Sequence, residues 1–168
     1  MAKNLKILIF PDPRLRKVAE KVIKFDKSLE NLANSMLKTM YDANGIGLAA
    51  TQIDQHIRLI VMDLSEERNE PRIFINPTYK VLEDHSLYEF EEGCLSIPGF
   101  NEVIARPDKI ELRWQDLEGN EHIDRPKGLL TVCIQHEIDH LDGKLMVDYV
   151  SALKRDRVRS RLLKEYKG

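Results

Sequence analysis

The residues with the clearest capacity for chemistry are His136, Glu137 and His140, which stand together in Gln135-His136-Glu137-Ile138-Asp139-His140. On an α-helix, positions i and i+4 lie one above the other on the same face, so both imidazoles can reach one ion. Glu137 flanks that face and brings a carboxylate within reach of a water on the ion, the arrangement that metal-assisted hydrolysis needs. The competing reading is a solvated helix whose histidines recur by chance, since the chain holds five histidines in 168 residues.

The helix that carries the pair has an apolar side made by Leu130, Val132, Cys133, Ile134, Ile138 and Leu141, which predicts a central, buried helix. Two histidines and a glutamate buried without an ion would be costly unless they formed a hydrogen-bonded polar cluster. A catalytic metal takes three protein ligands and keeps a position open for water. Downstream of the pair, Glu165 lies among basic residues, and Met146 stands six residues past His140, where an extended metalloprotease pattern would place a histidine. Cys94 is the better third ligand. It sits in Glu91-Glu92-Gly93-Cys94-Leu95-Ser96-Ile97-Pro98-Gly99, where a strand must turn sharply, and a thiolate binds zinc or ferrous iron strongly. The alternative for Cys94 is a small buried hydrophobe, the usual fate of a free cysteine. Cys133, three residues before His136, would crowd the histidines as a ligand and reads as pocket lining or core.

These residues need elements to hold them. The periodicity of Leu29, Leu32, Ala33, Met36, Leu37 and Met40 predicts a helix over 27–43, with Asp26 as N-cap and Gly45 as a stop. Strands are expected at 58–63, 72–76, 79–91, 102–106, 110–115 and 121–125, the last two joined by a turn at 116–120. Helical spacing resumes over 129–141 and again in the tail at 151–166, whose apolar stripe would be Leu153, Val158, Leu162 and Leu163. The fold class is therefore α+β: antiparallel or mixed strands around a central metal-binding helix, with an N-terminal and a C-terminal helix, in one domain over 1–168. The segment Gly45-Ile46-Gly47-Leu48-Ala49-Ala50-Thr51-Gln52 lacks the third glycine of a dinucleotide fingerprint and follows a helix instead of a strand. Its small residues serve either a tight turn or the close approach of backbone to a substrate.

Hydrophobic residues make up 42% and charged residues 32%, ordinary values for a globular domain, and the net charge of −2 gives no global sign of nucleic-acid wrapping. Charge is uneven, with seven basic against two acidic residues in 151–168, which suits a polyanionic partner for the tail alone. Two cysteines do not make a disulfide scaffold, the opening apolar run is too short for a signal peptide, and no window approaches a membrane span. A cytoplasmic protein with reduced thiols is expected.

Three segments together, Gly45–Gln52, Glu92-Gly93-Cys94-Leu95-Ser96 and Gln135–Gly143, resemble the peptide deformylases, as do Pro11-Asp12-Pro13-Arg14-Leu15-Arg16 and the charged C-terminal helix. The resemblance implies a hydrolase that removes the N-formyl group from the formyl-methionine of new polypeptides and releases formate. It implies Cys94, His136 and His140 as ligands of one Fe²⁺ ion per chain, with Zn²⁺, Ni²⁺ or Co²⁺ as substitutes. Glu137 would be the general acid/base, and the Gln52 amide and Leu95 N–H would stabilise the oxyanion. Ile46, Gly47, Val132 and Cys133 would line an apolar hole for methionine. The partners implied are N-formyl-methionyl nascent polypeptides and, through the basic tail helix, the ribosome, with no membrane. Some relatives carry arginine where Asn101 stands. The rivals are a general metallopeptidase with the same His-Glu-x-x-His chemistry but another third ligand, and a structural-metal domain or inactive ribosome-binding module in which Glu137 would carry no activity.

Overall fold

The computed structural model describes residues 2–166, so Met1 and the last two residues of the expected 151–168 tail fall outside it. The first helix, α1 (Lys27–Asp42), starts where Asp26 accepts a hydrogen bond from the Leu29 N–H. It ends because Asn44 takes the left-handed conformation (φ 58°), which asparagine tolerates, while the Gly45 N–H donates back to the Met40 carbonyl at 2.9 Å.

Five strands form one antiparallel sheet in the order β1 (Gly47–Ala49), β2 (Leu59–Met62), β3 (Arg72–Val81), β6 (Ile110–Gln115) and β7 (Glu121–Asp124). The hairpin of β4 (Leu87–Gly93) and β5 (Asn101–Pro107) stands apart as a second sheet. Strand side chains alternate between faces, and β2 uses both. Leu59 and Val61 pack with α1, whereas Ile60 and Met62 pack with Phe74, Leu112 and the helix α2 (Leu129–Leu141). The sheet is thus pressed between α1 and α2. All of α2 from Thr131 to Leu141 is buried, as the apolar run predicts. A third cluster joins Leu8, Phe10, Leu15, Ile97 and Val147 to α3 (Ala152–Glu165) through Val158 and Leu162.

Two expectations change. The strand expected over 79–91 is two strands: 79–81 completes β3, a turn intervenes, and β4 begins at Leu87. β3 runs through Pro77 because a bulge shifts its register between Ile75 and Thr78. Asn76 sits there at φ 50°, with its side chain bonded to Val22 and Gln115. On α3 the apolar stripe is narrower than expected, since Val158 and Leu162 are buried but Leu153 and Leu163 face outward.

Candidate metal centre and cleft

Three elements converge on one cleft of about 250 Å³. The link from α1 into β1 brings Gly45, Ile46 and Gly47 along one wall, the turn after β4 brings Cys94 and Leu95, and α2 brings Val132, Cys133, His136 and Glu137. Gln52 reaches in from the 3-10 turn Ala50–Ile53 that follows β1. His140, one helical turn beyond His136, lies behind them and is 1% exposed. All ten residues expected at the site are therefore neighbours. Glu165, the rejected ligand candidate, pairs with Arg161 on the surface of α3 instead.

Donor atoms from Cys94, His136 and His140 lie within 4.8 Å of one another. Cys94 Sγ is 3.3 Å from His140 Nε2. That separation is close to the edge of about 3.5 Å expected for a tetrahedral ion with a sulfur at ~2.3 Å and a nitrogen at ~2.0 Å. The His136 Nδ1 bonds to Glu92 Oε1 at 2.9 Å, which turns Nε2 towards the thiol. Burial, the neighbouring His136 and Arg106 hold His140 well below its usual pKa, so it is neutral and free to ligate. Burial opposes charge on His136 as well, but Glu137, Cys94 and Glu92 push its pKa well up. The same negative surroundings would favour a metal cation at that ring. The residues therefore fit a metal ion in both donor chemistry and electrostatics.

Glu137 is 5% exposed, and its Oε1 has no hydrogen-bond partner among the described residues. Burial pushes its carboxyl up to about 7. The other oxygen lies against Gly47, where an added Cβ would come within 2.6 Å of Oε2. Gln52 is fixed at both ends: Oε1 accepts from the Ala49 N–H at 2.9 Å, and Nε2 donates to Ser96 Oγ at 3.0 Å while lying 3.7 Å from Cys94 Sγ. The Leu95 N–H meets no acceptor among the described residues. The site therefore offers a carboxylate near neutral pKa, a tripod for an ion and two amide donors on one apolar-walled cleft.

Sequence reasoning missed the residues that support this site. Phe90 and Asn44 also line the cleft. Glu92 stood inside a quoted motif without a role, and Arg106, which forks onto Glu92 at 2.6 and 2.9 Å, had no local signal at the end of its strand.

The chain matches a family model described as polypeptide deformylase over residues 4–156. It is 53% identical to a peptide deformylase of Saccharophagus degradans over 163 residues, 97% of this chain and 94% of that one. A crystal structure of a peptide deformylase from Legionella pneumophila superposes with a TM-score of 0.89 at 46% identity, covering 96% of this chain and 95% of that one. That of Ehrlichia chaffeensis peptide deformylase in complex with actinonin superposes with a TM-score of 0.92 at 37% identity, covering 99% of each.

Proposed function

This chain belongs to the polypeptide deformylase family, and we propose that the cleft described above carries out its reaction. The enzyme hydrolyses the N-formyl group from the formyl-methionine of newly made polypeptides and releases formate. The observation that carries the assignment of roles is the unpartnered, buried Glu137 carboxylate beside the Cys94, His136 and His140 donor group.

In this reading Cys94, His136 and His140 hold one metal ion, which when bound supplies Lewis acidity and lowers the pKa of water from about 16 to about 7. Glu137 takes the proton of the attacking water and returns it to the departing amine. Burial raises its carboxyl above the ordinary carboxylate range, which favours its holding the proton between the two transfers. Charge gathers on the formyl oxygen during attack, and the Leu95 N–H and the Gln52 amide donate to it. Losing one such donor typically costs about 10²–10³ in rate. Ser96 and Ala49 hold the Gln52 amide in the orientation this requires. Ile46, Gly47, Val132 and Cys133 form the apolar wall that receives the methionine side chain. Burial pushes the Cys133 thiol far up, so it stays an uncharged lining group.

We take the ion to be Fe²⁺ on the family resemblance alone, with Zn²⁺, Ni²⁺ and Co²⁺ as substitutes, since a Cys/His/His set suits all four and does not itself choose among them. No helix among the described residues is long and apolar enough to cross a membrane, and we place the enzyme in the cytoplasm beside its nascent-chain substrates. The outward basic residues of α3, Arg157, Arg159 and Lys164 among them, suit the phosphate surface of the ribosome. The test is formate release from an N-formyl-Met peptide by protein purified without oxygen and supplied with Fe²⁺. Efficient release that vanishes with Glu137→Ala is expected. Release unchanged in that variant would overturn the role given to Glu137.

A further inference from the structure

A polar cluster behind the cleft runs from the surface to His136. Arg106, 3% exposed, donates through Nε and Nη2 to the two oxygens of Glu92 at 2.6 and 2.9 Å, and through Nη1 to Asp139 Oδ2 at 3.0 Å. Glu92 Oε1 in turn meets His136 Nδ1 at 2.9 Å. At the far end, the Tyr149 hydroxyl donates to the same Asp139 oxygen at 2.6 Å, and the Arg106 guanidinium carbon lies 5.0 Å from the Tyr149 ring centroid. Glu92, Arg106, Asp139 and His136 are all buried, whereas Tyr149, at 49% exposed, opens onto solvent.

The charges explain the arrangement. One guanidinium serves two buried carboxylates, Glu92 and Asp139, and a buried carboxylate short of donors is costly. The Tyr149 hydroxyl supplies Asp139 with a second donor, so Arg106 can give two of its three contacts to Glu92. The ring packed on the guanidinium holds it in that pose. Glu92 then fixes the tautomer and tilt of His136, the kind of support that outer carboxylates give metal-bound histidines.

We infer that Tyr149 is a positioning residue for His136, acting through Asp139, Arg106 and Glu92. The inference rests on His136 being a metal ligand, as proposed above. Tyr149 closes the 3-10 turn Met146–Tyr149 just ahead of α3, so the segment that anchors the C-terminal helix also steadies the metal site.

The test compares wild-type protein with Tyr149→Phe, which keeps the ring over Arg106 and removes only the hydroxyl. Metal release into excess chelator is timed for the Zn²⁺ form, the visible spectrum is recorded for the Co²⁺ form, and the metal-free proteins are melted as a control on folding. Direct outer partners of a ligand typically change metal affinity about 10–100-fold, so a residue three contacts further out should speed release by about 3–10-fold and shift the Co²⁺ bands. Asp139→Asn should shift the bands in the same direction. Because the path runs through Glu92, adding Tyr149→Phe to Glu92→Gln should change release by less than about twofold. Wild-type release and spectrum in Tyr149→Phe would overturn the inference, as would full, multiplying effects in the double variant. A wild-type protein that binds no Co²⁺ or Zn²⁺ would instead sink the metal reading beneath it.

Discussion

Gly47→Ala is the most direct test of where the reacting carboxylate must sit. Built on the present backbone, the new Cβ would lie 2.6 Å from Glu137 Oε2 and 3.2 and 3.3 Å from its Cδ and Cγ, against an ordinary contact of 3.4 Å or more. The carboxylate would have to retreat by roughly 0.8 Å, and α2 around it is buried on every side, so it cannot retreat towards the helix without losing its own packing. A displacement of about 1 Å at a reacting group can cost about 10²-fold in rate, equivalent to about 2.7 kcal/mol of barrier. Stability should change far less. Alanine reduces the chain entropy that glycine brings to a strand by about 0.5–1 kcal/mol, which offsets part of the crowding. The expected result is a fall in kcat of about 10²-fold for formate release, with the melting temperature and metal content near wild type. The first is read by initial rates on a formyl-Met peptide, the second by thermal melts and the third by atomic absorption. A fully metallated variant that works within about threefold of wild type would refute the claim that Glu137 acts from the position seen here.

Other changes probe the ligand set, the buried ion pairs and the acid limb of stability. Cys94→Ser should weaken metal binding by more than about 100-fold, since a ligand should matter more than its outer partners; retained metal after dialysis would favour the metallopeptidase rival with another third ligand. Arg106→Met leaves Glu92 and Asp139 buried without their cation, and urea unfolding should show a loss of about 3–5 kcal/mol; a loss below about 1 kcal/mol would mean the pair is already satisfied by other groups. Burial alone would raise the Asp63 carboxyl, but hydrogen bonds from Ser65 and Tyr41 hold it at about 2, below its ordinary 3.8. The folded state therefore favours the ionised form, so this stability is present above pH 3.8 and is lost as the pH falls through about 2. Ser65→Ala should flatten that acid dependence in melts between pH 5 and 2, and a slope identical to wild type would show that Ser65 does not hold the carboxylate.

The parts of the site legible in the sequence are those set by spacing along one element or by a short turn. His136, Glu137 and His140 share a helix, so a 3.6-residue repeat is enough to bring them together. Cys94 was legible from its turn, because Gly93 and Pro98 mark a break after β4. Its arrival beside His140 Nε2 was not, since that depends on how the β4–β5 hairpin packs on α2. The misjudged stretches have two origins. The break after β3 is local, since Glu83-Asp84-His85-Ser86 are polar, turn-favouring residues that a single strand over 79–91 passes over, whereas the bulge at Asn76 is set by its bonds to Val22 and Gln115, 54 and 39 residues away. Leu153 and Leu163 follow helical spacing, but α3 meets the body along a strip only wide enough for Val158 and Leu162.

The same contrast separates the reacting groups from those that hold them. Asp139 lies between the motif residues Glu137 and His140, yet nothing local tells that it faces away from the cleft to meet Arg106 and Tyr149. Arg106 lies 14 residues from Glu92 and 33 from Asp139, and a buried arginine at a strand end looks in sequence like any surface cation. Motif residues are constrained by the geometry of an ion and one helix, whereas their supports are constrained only by charge balance in a low-dielectric interior. Charge balance can be met from any element that folds near, so it leaves no periodic trace. A reading from sequence should therefore recover ligands and the reacting carboxylate well before it recovers the arginine and tyrosine that keep them in place.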